Sequence, residues 1–256
     1  MATFGFIGTG NMGGALARAA RKRLSGGEIL LANRSAAKAE ALAQELDCRA
    51  VDNAAVAAGA DYIFLGVKPY MVADVLTPAR EALAGKAVVS VAAGLLFDFY
   101  EDLLGAGSHH LSTIPNTPIA VGCGVIACEQ KHSLSDDEWE TFAGLFGGIA
   151  LIEPVAGHLL STASAVAGCG PAFAAMFLES LADGGVKNGL PRATAYRLAA
   201  QMMAGTAQLH LATGTHPGAM KDAVCSPGGT TIKGVAALEA AGLRNALISA
   251  VDATLR

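Results

Sequence analysis

The stretch FIGTGNMGGAL, residues 6–16, constrains the fold more than any other. It sets Gly8, Gly10 and Gly13 between an apolar run and a segment of helical spacing. A strand that turns on glycine into a helix is the opening of a dinucleotide-binding unit. Gly8 makes the tight turn, Gly10 lets the backbone approach a pyrophosphate, and Gly13 allows helix and strand to pack closely. The helix N-terminus then faces the anion. Gly8, Thr9, Gly10, Asn11 and Met12 are therefore expected to hold the phosphates of a dinucleotide.

The pattern that follows suits this opening. ATFGFIG, EILLANR, DYIFLGV and KAVVSVAAG read as buried strands, with helical spacing between them. In AAKAEALAQEL the residues Ala39, Leu42, Ala43 and Leu46 recur at helical intervals. Strand–helix alternation with continuously apolar strands implies a parallel sheet covered on both faces. HHLSTIPNTP, CGVIACE and IALIE read as further strands, and DDEWETFAGLFG as a helix with Ser135 as N-cap. From Pro154 onward strand patterns give way to long helical ones. The expectation is an α/β Rossmann-like domain over residues 1–153 and an all-α domain over 154–256.

The end of the second strand selects the cofactor. NAD-binding folds place a carboxylate there for the ribose hydroxyls. Here the strand ends in Asn33, Arg34 and Ser35. No carboxylate repels a 2′-phosphate, and Arg34 can pair with it bidentately. NADPH is expected, with NADH as the alternative. Other strand-end loops carry Val67, Lys68 and Pro69, then Ala92, Ala93 and Gly94, small enough to admit a nicotinamide-ribose. Asn116 and Asn53 are further cofactor candidates, although each is equally well explained as a turn-forming residue.

Several classes are excluded. A net charge of −4 with no basic block argues against nucleic acid. Five scattered cysteines without a Cys-x-x-Cys pair fit reduced thiols in a cytoplasmic protein. His109 and His110 point to opposite faces of a strand, so no metal is expected. The N-terminus lacks the basic segment and apolar run of a signal peptide. Residues 159–178 carry no charge, but Ser161, Thr162, Ser164 and GCGP interrupt them. Two buried helices joined at a turn are expected there, not a membrane span.

In the helical half, Pro171 and Pro191 open two long helices, and Gly184, Gly185 and Gly189 end the first while Gly214 ends the second. TIKGVAALEAAG and LRNALISAVDATLR are helical too. About 100 residues with alanine and methionine faces bury those faces only partly alone, so pairing with a second copy is expected. One loop stands out, VCSPGGTTIKG at 224–234. Its glycines and hydroxyls precede a helix, where backbone N–H groups can converge on an anion.

The motifs FIGTGNMGGAL, NRS, GVKP, SVAAG, PNTP, GCGPAF, LADGGVKNGLPR and KDAVCSPGGTTIKGVAALE occur in the order seen in pyrroline-5-carboxylate reductases. The chain resembles that family over essentially its whole length. The resemblance implies reduction of a five-membered cyclic imine to L-proline with NADPH or NADH. It also implies a homodimer built through the C-terminal helices, which in the family commonly forms larger rings, often decamers. By motif it assigns the ring nitrogen to Thr231, the catalytic residue, and the substrate carboxylate to Ser226, Gly229 and Thr230, the four together forming the substrate site. Three positions depart from the family pattern: Ser112 stands where an Arg is frequent, Ile114 where a Met is, and Cys169 where a Ser is. A relative acting on another imine or on a β-hydroxy acid, or a silent NADP-binding protein, are the alternatives. A β-hydroxy-acid dehydrogenase would need a Lys followed four residues later by Asn, and Lys187, Lys221 and Lys233 lack it.

Overall fold

A computed structural model describes residues 2–105 and 107–255. The chain forms two compact units, Met1–Cys169 and Gly170–Arg256. The boundary lies later than the expected residue 153. The reason is local: the Asn116 side-chain amide donates to Ala167 O at 3.0 Å, tying the segment beyond the last strand to the first unit.

The first unit is an eight-stranded sheet. Its strands are β1 (Phe4–Ile7), β2 (Ile29–Ala32), β3 (Arg49–Ala50), β4 (Tyr62–Leu65), β5 (Ala87–Ser90), β6 (His109–Pro115), β7 (Gly124–Glu129) and β8 (Ala150–Val155). Their order is β3-β2-β1-β4-β5-β6-β7-β8. The chain reverses direction across the sheet between β1 and β4, the crevice where doubly wound folds bind ligands. β1, β2, β4 and β5 are buried at every position, because helices cover both faces. On one face α1 (Asn11–Arg21), α2 (Ala36–Leu46) and α6 (Asp136–Phe146) enclose Phe6, Leu16, Leu31, Phe64 and Phe142. On the other α3 (Asn53–Gly59), α4 (Val72–Leu76) and α5 (Phe97–Leu104) enclose Ile7, Ile63, Leu65, Val72 and Tyr100.

Ser135 caps α6 as expected. Its hydroxyl accepts from Glu138 N at 3.3 Å, while the Glu138 carboxylate accepts from Ser135 N at 2.8 Å. The sheet is not wholly parallel, since β7 runs antiparallel to β6. The connection from Asn116 to Cys123 is too short for a crossover, which takes a dozen or more residues. His109 and His110 do face opposite ways, His109 to Glu138 on α6 and His110 to Glu101 on α5.

Beyond β8, α7 (Leu160–Ala163) passes into a π-turn over Ser164–Gly168, where Cys169 N donates to Ser164 O at 2.9 Å. Helical backbone therefore continues from Gly157 to Lys187, which corrects the two buried helices expected across residues 159–178. Length and composition would let this segment cross a bilayer, and 11% of its apolar window is buried.

The second unit comprises α8 (Gly170–Lys187), α9 (Arg192–Thr213), α10 (Pro217–Ala223), α11 (Thr230–Ala240) and α12 (Leu243–Ala253). Gly184 and Gly185 lie inside α8 and do not end it. The stop is at Gly189, whose φ of +97° a side chain rarely tolerates. Gly214, with φ +63°, ends α9. The expected apolar stripes exist but face outward: Met176, Leu181, Leu198 and Met202 are 68, 45, 57 and 45% exposed.

Candidate active site

In the first unit, β3, β2, β1, β4, β5 and β6 are parallel. The loops after their C-terminal ends therefore share one edge of the sheet. That edge carries Asn53 after β3, and Asn33, Arg34 and Ser35 after β2. Gly8–Met12 follow β1, Val67–Pro69 follow β4, Ala92–Gly94 follow β5 and Asn116 follows β6. Every residue expected to contact a dinucleotide lies at this edge.

Gly8 and Gly13 of the first loop are there for steric reasons. Gly8 has φ +94°, and a Cβ on it would meet Gly66 C at 2.7 Å. A Cβ on Gly13 would stand 2.0 Å from Gly8 O, so α1 presses directly on the turn. A Cβ on Gly10 would meet nothing within 4 Å, leaving open space over the helix N-terminus. Gly10 is the N-cap of α1 without a side-chain bond, and the first turn carries no acidic residue. The first N–H groups of α1 are thus free for an anion. The Thr9 hydroxyl is buried without a partner among the described residues. A dinucleotide phosphate fits this set of donors.

At the β2 end, Asn33 Nδ2 donates to Ser35 O at 3.2 Å and fixes the turn. Arg34 and Ser35 are exposed, and so is Lys38 in the first turn of α2. Lys68 is exposed at the N-cap of the short 3₁₀ turn Pro69–Met71. Ala92 is buried, whereas Ala93 and Gly94 are exposed, with Gly94 at φ +82°. Asn53 is half-buried in the first turn of α3, behind the Asp52 cap.

Asn116 lies at the same edge with its side chain turned inward. It is 6% exposed; its Oδ1 accepts from Val125 N at 2.8 Å and its Nδ2 donates to Ala167 O. Both ends of the amide serve the backbone, so the side chain is a brace. Ser112 is also buried, at 3% exposure inside β6. A change from Arg to Ser there therefore alters the interior of the sheet and not its ligand-facing edge.

In the second unit, the loop between α10 and α11 has the predicted form. Gly228 has φ +68°, and Gly229 N donates to Ser226 O at 3.0 Å. Gly229 caps α11 with no side-chain bond, so the first N–H groups of that helix lack intrahelical partners. A Cβ at Gly229 would lie 2.4 Å from Ser226 Oγ, so a side chain there would displace the Ser226 hydroxyl. Ser226, Thr230 and Thr231 are all exposed, and Lys221 beside the loop pairs with Asp222. The arrangement offers backbone amides to a carboxylate and a hydroxyl to a polar ring atom. Cys225 is half-buried next to this loop.

Similarity to known proteins agrees with both halves. Residues 158–256 match the pyrroline-5-carboxylate reductase dimerisation family, and residues 3–94 match the family described as NADP oxidoreductase coenzyme F420-dependent. The pyrroline-5-carboxylate reductase of Escherichia coli is 38% identical over 96% of this chain and 93% of its own. That of Treponema pallidum is 47% identical over 76% of this chain and 75% of its own. Among solved structures, the Coxiella burnetii enzyme superposes with a TM-score of 0.89 at 27% identity, covering 99% of this chain and 96% of its own. The Plasmodium falciparum enzyme, solved with NADP bound, gives 0.87 at 27% identity, covering 99 and 95%.

Proposed function

Because this chain belongs to the pyrroline-5-carboxylate reductase family, we infer that it reduces L-1-pyrroline-5-carboxylate to L-proline with NAD(P)H, the last step of proline biosynthesis. The observation that carries the reading is the near-complete match to the Escherichia coli enzyme, across both units. Bound NAD(P)H supplies a hydride. The protein's residues bind, orient and keep water out. Gly8, Thr9, Gly10, Asn11 and Met12 hold the pyrophosphate on the N-terminus of α1. Arg34 and Ser35, with Lys38, receive a 2′-phosphate, which favours NADPH over NADH. Asn33 shapes that turn and Asn53 lies on the adenosine side. Val67, Lys68, Pro69, Ala92, Ala93 and Gly94 line the nicotinamide-ribose end.

The substrate is a carboxylate and an imine in one ring. Ser226, Gly229 and Thr230 take the carboxylate at the N-terminus of α11, where the helix dipole and unpaired N–H groups favour an anion. Thr231 Oγ1 bonds the ring nitrogen and sets the orientation of the imine carbon. A protonated imine is already electrophilic, so no strong acid or base is required of the protein.

The exposed apolar faces of α8 and α9 are assigned to a second copy. The stretch Gly157–Lys187 overlaps the dimerisation match almost entirely, so a partner subunit covers its apolar face, not a bilayer. A homodimer through the C-terminal helices, assembling further toward a decamer, is the proposed state. The proposed location is the cytoplasm, with no nucleic-acid partner at a net charge of −4.

The test is direct. Freshly prepared L-1-pyrroline-5-carboxylate is added to the purified protein with NADPH or NADH, and absorbance and product are followed. Rapid oxidation with proline formed, faster with NADPH, supports the reading. Cofactor binding without oxidation contradicts it, and oxidation only with a six-membered ring imine redirects the substrate.

A further inference from the structure

The described residues place a carboxylate, Glu129, where no step of the reaction needs one. It ends β7, is 4% exposed, and its Oε2 accepts from Phe97 N at 2.7 Å. Phe97 is the first residue of α5. A carboxylate at this point takes one of the four donors a helix start leaves unpaired and meets the favourable end of its dipole. The carboxylate is closely confined. A Cβ on Gly157 would overlap Oε1 at 2.5 Å. Burial pushes the Glu129 carboxyl above the usual range, and the Phe97 N–H pulls it back down.

The segment that Glu129 holds is the loop from β5 to α5, Val91–Leu96. That loop contains Ala92, Ala93 and Gly94. Its near end is pinned independently. Ser90 Oγ accepts from Ala92 N at 3.1 Å and from Tyr100 OH at 2.5 Å, and Thr113 Oγ1 donates to Ser90 O at 2.9 Å. Burial pushes the Tyr100 hydroxyl up to about 12, so it remains a donor at working pH. Glu129 pins the far end. Ser90 and Ser112 are register partners across β5 and β6, and the buried Ser112 hydroxyl has no hydrogen-bond partner among the described residues. Outside it, Lys131 pairs with Asp98 at 2.7 Å and covers the Phe97 ring at 4.1 Å, but this pair is exposed and contributes little.

We propose that Glu129 is a positioning residue for cofactor use: through Phe97 N it fixes the rear of the Ala92–Gly94 loop, and so the seat of the nicotinamide end. The proposal rests on the assignment of that loop to NAD(P)H. Sequence spacing could not show it, since the partner is a backbone N–H 32 residues away.

Three variants of the full chain test it: Glu129→Ala, Glu129→Asp, which keeps the charge but loses reach, and Glu129→Gln, which keeps an acceptor at full reach. Asp98→Asn is the control. NADPH affinity is read from the fluorescence of bound nucleotide, and turnover gives the kinetic constants and the isotope effect with 4-deuterated NADPH. Glu129→Ala and Glu129→Asp should weaken NADPH about tenfold, the scale of a lost hydrogen bond to a charged group. They should enlarge the isotope effect, while the KM for the imine changes little. Glu129→Gln should recover most of the affinity, and Asp98→Asn should match the parent protein. If Glu129→Ala does not fold, Glu129→Asp carries the comparison. A lower Tm with unchanged NADPH affinity and isotope effect overturns the proposal, as does Glu129→Gln behaving like Glu129→Asp. If the parent binds NADPH without turning over the imine, the functional reading fails, yet the affinity series still decides the role of Glu129.

Discussion

The two units stabilise themselves in different ways. In the first, four strands are buried at every residue and two clusters of large side chains fill both faces of the sheet. In the second, α8 buries only Ala182, α9 only Ala195 and Ala199, and α10, α11 and α12 bury no residue. Its apolar side chains line open grooves instead. One of about 810 Å³ runs beside Met202, Met203, Leu209, Pro217 and Val224, and another of about 490 Å³ lies beside Phe173, Met176, Leu243 and Leu247. A soluble monomer rarely exposes so much contiguous apolar surface. The first unit carries its core within one chain, and the second leaves its apolar faces open.

The sharpest way to break this contrast is to charge the open face. Leu198→Asp with Met202→Asp should dissociate the assembly, because a carboxylate buried at an interface without a partner costs several kcal/mol. Light scattering should show monomer mass, and turnover should fall by roughly 100-fold or more. A retained oligomer would place the interface elsewhere. The first unit should fail differently. Gly13→Ala drives a methyl onto Gly8 O, a backbone atom that cannot yield, and should cost about 3 kcal/mol. NADPH binding should be lost while the oligomer mass stays, as calorimetry and light scattering together would show.

Smaller effects separate the two ligands. Thr231→Ala should lower kcat by about tenfold or somewhat more, the scale of one lost hydrogen bond to a charged group, with NADPH affinity unchanged. Unchanged turnover removes Thr231 from the mechanism. Arg34→Ala should weaken NADPH about tenfold and NADH scarcely at all, in steady-state kinetics with each cofactor. Equal losses would end the 2′-phosphate argument.

Legibility in the sequence followed the same division. Strands of the first unit were readable because burial on both faces leaves continuous apolar runs, and α2 and α6 because their spacing or cap is local. The direction of β7 is not written in its periodicity; only the short connection from Asn116 to Cys123 sets it. β3 spans two residues and has no period to detect. α10 begins Pro217–Gly218 and resembles a loop. Gly184 and Gly185 misled because α8 accommodates them without ending. The glycine cradle, by contrast, was legible in its spacing, and Gly8 and Gly13 sit where a Cβ would strike backbone atoms.

The most direct measurement is a structure of the protein with NADP⁺ and L-proline bound. The account predicts the proline carboxylate on the backbone N–H groups from Ser226 to Thr231, the Thr231 hydroxyl at the ring nitrogen, and the pyrophosphate over Gly10 at the start of α1. Proline bound away from the N-terminus of α11, with Thr231 facing solvent, would contradict it.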